Sequence, residues 1–374
     1  MKVLVPLGTR PEIVKLAPVV AALRAVGLDV EVVATGQHHD ANLTDAFFDG
    51  LGLRPDRRWT LEGDDAARVG QLTQKAFTEV ADAKPDLVLL LGDTYTVPFF
   101  ALAARRSRVP IAHLEAGLRS WNPTSMEEVN RRVVASIASL QLAPTELAAR
   151  FLRDEGIDDA AIEVVGNPII DVLRTSEHHR LPASERAGVV LTAHRATNVD
   201  DPERLAALVR LTRRLAQEIG AVTFPMHPRT RDRLVTAGML DELERDDVHV
   251  IDPVPWDDMV RLIARSRVVV TDSGGLQEEA SFLGVPVVVL RRSTPRWESV
   301  ANGTSVLAGL DEHIAIRAAH DLTTPEALDR VANTPCPYGD GRTGARVAAI
   351  LTAPDIGARL ALVEPDWVDR PLPW

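Results

Sequence analysis

Cysteine is almost absent: Cys336 is the only one in 374 residues. A lone thiol excludes a disulfide framework and any cysteine-rich metal site. Aromatic residues make up 4% of the chain, so the cores must be built from Val, Leu, Ala and Ile. Lysine is confined to Lys2, Lys15, Lys75 and Lys84, all in the first quarter of the sequence. No apolar run approaches the ~20 residues of a membrane span. The opening Met1–Arg10 is too short an apolar run for a signal peptide, and charges follow at once. The formal charge of −11 argues against a nucleic-acid partner. No G-x-G-x-x-G follows the first apolar run and no Walker lysine motif occurs, which removes the dinucleotide fingerprint and the P-loop. His38-His39-Asp40 comes nearest to a metal cluster, and adjacent loop residues make a poor ligand set. The expectation is a soluble, cytoplasmic protein without a metal, a membrane or a nucleic-acid partner.

What is present is alternation. Apolar residues make up 45% of the chain, and they fall in short runs separated by longer helical patterns. The spacing predicts strands over 2–7, 29–35, 86–91 and 110–114, with helices over 12–25, 66–83 and 97–106. After a polar stretch at 176–187 the pattern restarts, with strands over 188–192, 221–225, 248–251, 267–271 and 286–290 and a long helix over 202–219. Strands apolar along their whole length, alternating with helices, make parallel sheets covered on both faces. The predicted fold is α/β, with two doubly wound parallel-sheet domains facing across a cleft. The first domain is expected over 1–170, the second over 171–355, and a tail over 356–374. Ligands in such folds bind beyond the carboxyl ends of the strands.

One stretch after a predicted strand stands out: Thr271-Asp272-Ser273-Gly274-Gly275-Leu276-Gln277-Glu278-Glu279. Two glycines at a strand-to-helix turn let a ligand approach bare backbone. The helix start adds unpaired N–H groups and a positive dipole end. The turn reads as a diphosphate site or as a plain turn of a βα unit. Within the helix, Glu279 can accept from sugar hydroxyls.

Charged residues gather after the other strands too. Arg10, in Gly8-Thr9-Arg10-Pro11-Glu12, is placed for a phosphate or a carboxylate, with Lys15 one turn further on; a loop cap and a solvated lysine are the plainer uses. Asp93 follows the strand ending at Leu91 and reads as a helix cap or as an acid/base group. Glu115 ends the next strand, and Glu127 and Glu128 open a helix. Asp93, Glu115 and one of Glu127 or Glu128 can converge, and clustered carboxylates are the material of proton transfer. His194 ends a strand in the second half, either as a structural histidine or as a donor to a leaving diphosphate. Arg291 and Arg296 add cations after the strand that follows the glycine turn.

Taken together, Gly8-Thr-Arg-Pro-Glu12, Gly92-Asp-Thr94, Glu115-Ala-Gly-Leu-Arg119, Glu127-Glu-x-Asn-Arg131, Ala143-Pro-Thr-Glu146, Thr192-Ala-His-Arg195, Thr271–Glu279 and Pro337-Tyr-Gly-Asp-Gly341 resemble the UDP-N-acetylglucosamine 2-epimerase family, in the family's order. The resemblance spans about residues 1–350. It implies a GT-B-like fold, a homodimer, and inversion at C2 of a UDP-sugar with no redox cofactor. It implies Asp93, Glu115 and Glu127 as catalytic carboxylates, with His194 easing the departure of UDP. Arg10, Lys15, Ser273, Gly274, Glu279 and Arg296 are implied to hold UDP or its sugar. The chain departs from the family at Ser120–Met126, at Ala196-Thr197-Asn198 and at Trp297, and these changes bear on the sugar end. In Gln37-His38-His39-Asp40 only the first two residues keep the family's pattern, so activation by a second substrate molecule is expected to be weak or absent.

Overall fold

The structure, a computed structural model, describes residues 1–36, 48, 50–243 and 245–364. The expected loop at 37–40, with His38, His39 and Asp40, lies outside these residues, as does the tail from 365 onward. The chain divides into two compact units. Unit 1 is Met1–Gly117, Pro123–Val165 and Gly344–Trp374; unit 2 is Leu118–Asn122 and Gly166–Thr343. The sequence reading put the change of domain after 170 and carried the second domain to 355; the contacts put it after Val165 and return the chain to unit 1 at Gly344.

In unit 1 the strands are β1 (Lys2–Leu7), β2 (Asp29–Ala34), β3 (Arg57–Arg58), β4 (Leu87–Leu91), β5 (Ile111–Leu114), β6 (Leu140–Ala143) and β7 (Ile162–Val164). Their order is β3-β2-β1-β4-β5-β6-β7, and every pairing is parallel. The two-residue period of a strand explains why β4, and β1 after Lys2, are apolar throughout. Val3, Val5, Leu7, Leu87, Leu89 and Leu91 share one core with Ile13, Leu16, Val20 and Leu23 of the helix Arg10–Ala25. Leu4, Val88 and Leu90 share the opposite core with Ala76 and Val80 of the helix Asp65–Ala83, and with Val97, Phe100 and Ala104 of the helix Thr96–Arg106. Each Val, Leu, Ile or Phe among them contributes roughly 1.5–3 kcal/mol by leaving water.

The return of the chain has a packing cause. Val347, Ala348 and Leu351 of the helix Thr343–Leu351 join the core of β1 and the helix Arg10–Ala25. A Cβ on Gly344 would lie 2.7 Å from the Pro18 carbonyl oxygen, so only glycine admits this approach.

Unit 2 repeats the plan with β8 (Val189–Thr192), β9 (Val222–Pro225), β10 (Val248–Ile251), β11 (Val268–Thr271), β12 (Val287–Val289) and β13 (Ser305–Leu307). The order is β10-β9-β8-β11-β12-β13, again all parallel. Its core sets Val189, Leu191, Val268 and Val270 against Leu205, Leu208 and Leu215 of the helix Pro202–Glu218 and Ile316 of the helix Glu312–Leu322. In both sheets the order reverses beside the first strand: between β1 and β4, and between β8 and β11. Loops leaving the carboxyl ends of such a pair part to opposite faces and leave a crevice, the usual ligand position in open parallel sheets. Among the described residues no helix is long and apolar enough to cross a membrane.

Candidate functional site

In unit 1 the crevice loops follow β1 and β4, and a buried carboxyl ties them together. Glu12 accepts from the Gly8 N–H at 2.8 Å and the Thr9 N–H at 2.7 Å on one oxygen, and from the Thr94 hydroxyl at 2.9 Å on the other. Burial raises its pKa from 4.5 to about 7, against the opposing pull of these hydrogen bonds.

Around this tie stand paired charges. Lys15, one turn into the helix that begins at Arg10, forms a buried ion pair with Glu115. Arg131 is buried and pairs with Asp93, and its other nitrogen lies 2.7 Å from Glu128. Asn130 donates to the Asp93 carbonyl at 2.8 Å. The two carboxylates belong to one neighbourhood: a Cβ on Gly92, the residue before Asp93, would sit 3.4 Å from Glu115 Oε2. Strand pairing explains this, because β4 and β5 run side by side and Gly92 N–H donates to the Leu114 carbonyl at 3.0 Å. Glu115 has φ +60°, a left-handed conformation uncommon for a residue with a side chain. Strain of this kind costs about 1–3 kcal/mol and persists where the surroundings over-determine the backbone. His113, wholly buried, reaches the Gly92 carbonyl with Nε2 at 2.8 Å and fixes that loop.

In unit 2 the crevice loops follow β8 and β11, and Asp272 ties them. It is wholly buried and accepts from the His194 N–H at 3.0 Å, the Arg195 N–H at 2.9 Å and Asn198 Nδ2 at 3.0 Å on one oxygen. His194 Nδ1 lies 3.3 Å from the other oxygen of Asp272. The imidazole stacks on His227 with ring centroids 5.3 Å apart. Desolvation lowers the His194 pKa and outweighs the Asp272 carboxylate, and the cations Arg195, Arg229 and Arg291 push the same way as burial. The neutral imidazole is thereby favoured.

The helix Gly274–Leu283 begins beside this loop, capped by Ser273, whose side chain makes no capping bond. Its first N–H groups and dipole end are thus available to an anion. A Cβ on Gly275 would meet nothing within 4 Å, and one on Gly274 would touch the Arg296 guanidinium at 3.5 Å. Arg296 is buried and held by Glu278, with Nε at 2.7 Å and a terminal nitrogen at 2.6 Å from one oxygen. Asn167 Nδ2 donates to the same oxygen at 2.9 Å. The result is a cation locked over the bare backbone of a helix start. Glu279 points elsewhere: its Oε1 accepts from the Trp256 indole N–H at 2.8 Å.

A family model described as UDP-N-acetylglucosamine 2-epimerase matches residues 21–352. The chain belongs to the UDP-N-acetylglucosamine 2-epimerase family. A relative of that name from Methanocaldococcus jannaschii is 36% identical over 368 residues, covering 94% of this chain and 99% of its own. A second, from Pseudomonas aeruginosa, is named UDP-2,3-diacetamido-2,3-dideoxy-D-glucuronate 2-epimerase and is 36% identical over 369 residues, with the same coverages of 94% and 99%. A crystal structure of the M. jannaschii epimerase in complex with UDP-GlcNAc and UDP superposes with a TM-score of 0.85 at 35% identity, covering 94% of this chain and 99% of that one.

Against the residues that the epimerase resemblance singles out, unit 1 gathers Lys15, Asp93 and Glu115 into one set of ion pairs. Arg10 stands exposed as the first residue of its helix. Glu127 is half-buried and accepts the hydroxyl of Ser125, its own helix cap, at 2.5 Å; Glu128 is the acid that Arg131 shares with Asp93. Unit 2 gathers His194, Ser273, Gly274 and Arg296 around the Asp272 loop and the helix start, with Glu279 further along the same helix. Sequence reasoning gave no role to Asp272, Glu278 and Arg131, which stand inside quoted motifs, and passed over Asn167 and Trp256. The partners that give them a place, such as Asp93 for Arg131 and Glu279 for Trp256, lie 38 and 23 positions away.

The Ser120–Met126 departure also finds a place. Leu118–Asn122 belongs to unit 2, where the Trp297 indole N–H donates to the Arg119 carbonyl at 2.8 Å. Trp297, one of the departures, thus meets the backbone of the residue just before another.

Proposed function

We propose that this epimerase interconverts UDP-N-acetylglucosamine and UDP-N-acetylmannosamine by eliminating and re-adding UDP. The observation that carries the reading is the gathering of Asp93 and Glu115 at neighbouring strand ends, each paired with a buried cation. The C2–H of the sugar has no carbonyl beside it, so direct deprotonation would be very slow. Breaking the C1–O bond sends its electron pair to the diphosphate and builds oxocarbenium character at C1, which acidifies C2. One carboxylate takes the C2 proton and a 2-acetamidoglucal forms beside UDP. A second acid group returns a proton to the other face of C2, and the diphosphate oxygen re-forms the bond to C1. Among Asp93, Glu115 and Glu127, two serve these proton transfers.

Unit 2 supplies the hold on the leaving group. The start of the helix Gly274–Leu283, Arg296 and Ser273 bind the diphosphate, and Glu279 accepts from ribose hydroxyls. His194, with neutral imidazole, donates to a phosphate oxygen as charge develops there. Arg10 and Lys15 add positive charge on unit 1. We further propose a homodimer in the cytoplasm. Phe77, Leu102 and Val129, exposed on three adjoining helices of unit 1, support a self-contact there.

Incubation with UDP-N-acetylglucosamine in deuterated water, followed by NMR, tests the reading. Deuterium at C2 of a UDP-linked product is the expected result. Release of free N-acetylmannosamine would mean that water captures C1 and the enzyme hydrolyses. Absence of both isotope exchange and product would remove the proposed reaction.

A further inference from the structure

The two adjacent glutamates of the helix Gly274–Leu283 diverge by about 100° around its axis, and each meets a different neighbour. Glu278 is committed to Arg296 and Asn167. Glu279 faces the helix Trp256–Arg265, whose first residue donates its indole N–H to Oε1 at 2.8 Å. Trp256 follows β10, so it stands at the carboxyl edge of the unit 2 sheet, the same edge as the glycine turn. The Glu279 side chain is 5% exposed.

A carboxylate's terminal torsion is broad and roughly two-fold, so its plane is undefined until a donor fixes it. Indole is well suited to that task. It is rigid, it donates only, and it has no acceptor that could compete for a hydroxyl proton. We infer that Trp256 is a positioning residue that orients the Glu279 carboxylate toward the ribose hydroxyls and so sets the enzyme's preference for a ribonucleotide. The inference rests on the reading of Glu279 as the ribose acceptor. With one oxygen held by the indole, the plane of the carboxylate is set, and a neighbouring ribose hydroxyl meets an acceptor already in place.

The test compares dissociation constants of the full chain for UDP, 2′-deoxy-UDP and 3′-deoxy-UDP, measured by calorimetry. The wild-type protein is expected to bind UDP about tenfold or more tightly than the deoxy analogue lacking the contacted hydroxyl, as for a hydrogen bond to a charged group. Glu279→Gln should collapse that ratio toward one. Trp256→Phe, which keeps the ring and removes the donor, should shrink the ratio several-fold by weakening UDP while leaving the deoxy analogue unchanged. A merely structural role for Trp256 would weaken all three nucleotides alike, preserve the ratio and overturn the inference. A ratio that collapses in Glu279→Gln yet survives in Trp256→Phe would overturn the role of Trp256 and leave the ribose reading standing. A ratio untouched in Glu279→Gln would overturn the ribose reading and this inference with it. Should the Phe variant fail to fold, Trp256→Leu, equally without a donor, is read in the same way.

Discussion

The two units share one sheet order and place their tied loops at the same point of it, yet they fill that point with opposite chemistry. Unit 1 joins its loops through Glu12, a carboxyl held near neutrality, and surrounds it with ion-paired carboxylates. Unit 2 joins its loops through Asp272, which is consumed by backbone and amide donors, and presents a helix start with a locked arginine. One arrangement suits moving protons and the other suits holding an anion. The comparison teaches that topology fixes where a doubly wound unit works, while the residues at its strand ends decide what it does.

The sharpest way to break this division is to disable one unit and measure the other's task. Asp93→Asn and Glu115→Gln are each expected to cut turnover by about 10²–10⁴-fold, the usual worth of a positioned acid or base. UDP affinity, by calorimetry, should hardly change. Full activity in either variant would remove that residue from the mechanism. Next in size is the converse change, Arg296→Lys. It keeps the charge but loses the fork that engages Glu278, and UDP affinity should fall about tenfold. Deuterium exchange at saturating UDP-sugar should persist; its loss would show that the anion-holding unit also shapes the proton transfer.

A separate effect, on stability rather than on activity or binding, sharpens the contrast through pH. Glu12 binds its proton more tightly when folded, with a pKa of about 7 against 4.5. Its contribution to stability is therefore full below about pH 4.5 and is lost as pH rises through 7, a swing on the order of 3 kcal/mol. His194 has the opposite sign. Its folded pKa lies below 6.5, so the unfolded chain takes the proton first, and its contribution is present above pH 6.5 and lost as pH falls. Denaturant melts across pH 4.5–8 should show Glu12→Gln abolishing the loss on the alkaline side. Unchanged slopes in that variant would mean that the carboxyl titrates alike in both states.

Much of the architecture was legible in the chain. Val248–Ile251 falls where its β-branched run predicts, and Lys2–Leu7 and Leu87–Leu91 fall within a residue of expectation. Unbroken apolar runs flanked by turns signal a doubly covered strand without reference to any partner. Four strands were not expected: Leu140–Ala143, a short interior strand, and Arg57–Arg58, Ile162–Val164 and Ser305–Leu307, which are shorter still and lie at the outer ends of their sheets. An edge strand of two or three residues carries too little periodicity to read. Residues 343–351 fall in the second half by position, while the apolar face of the helix they form fits the core of β1.

The sequence alone determined the parallel α/β plan, the strand ends where charged residues gather and the family. These follow from local periodicity and from motifs a few residues long, which survive without knowledge of distant contacts. Tertiary structure alone decided that Glu12 reaches Thr94, that Arg131 links Asp93 to Glu128, and that Trp256 meets Glu279. Thr94 lies 82 positions from Glu12 along the chain, and no local pattern specifies a partner that far away. Such pairs form because burial leaves a polar group no water and obliges it to find a mate wherever the folded chain provides one.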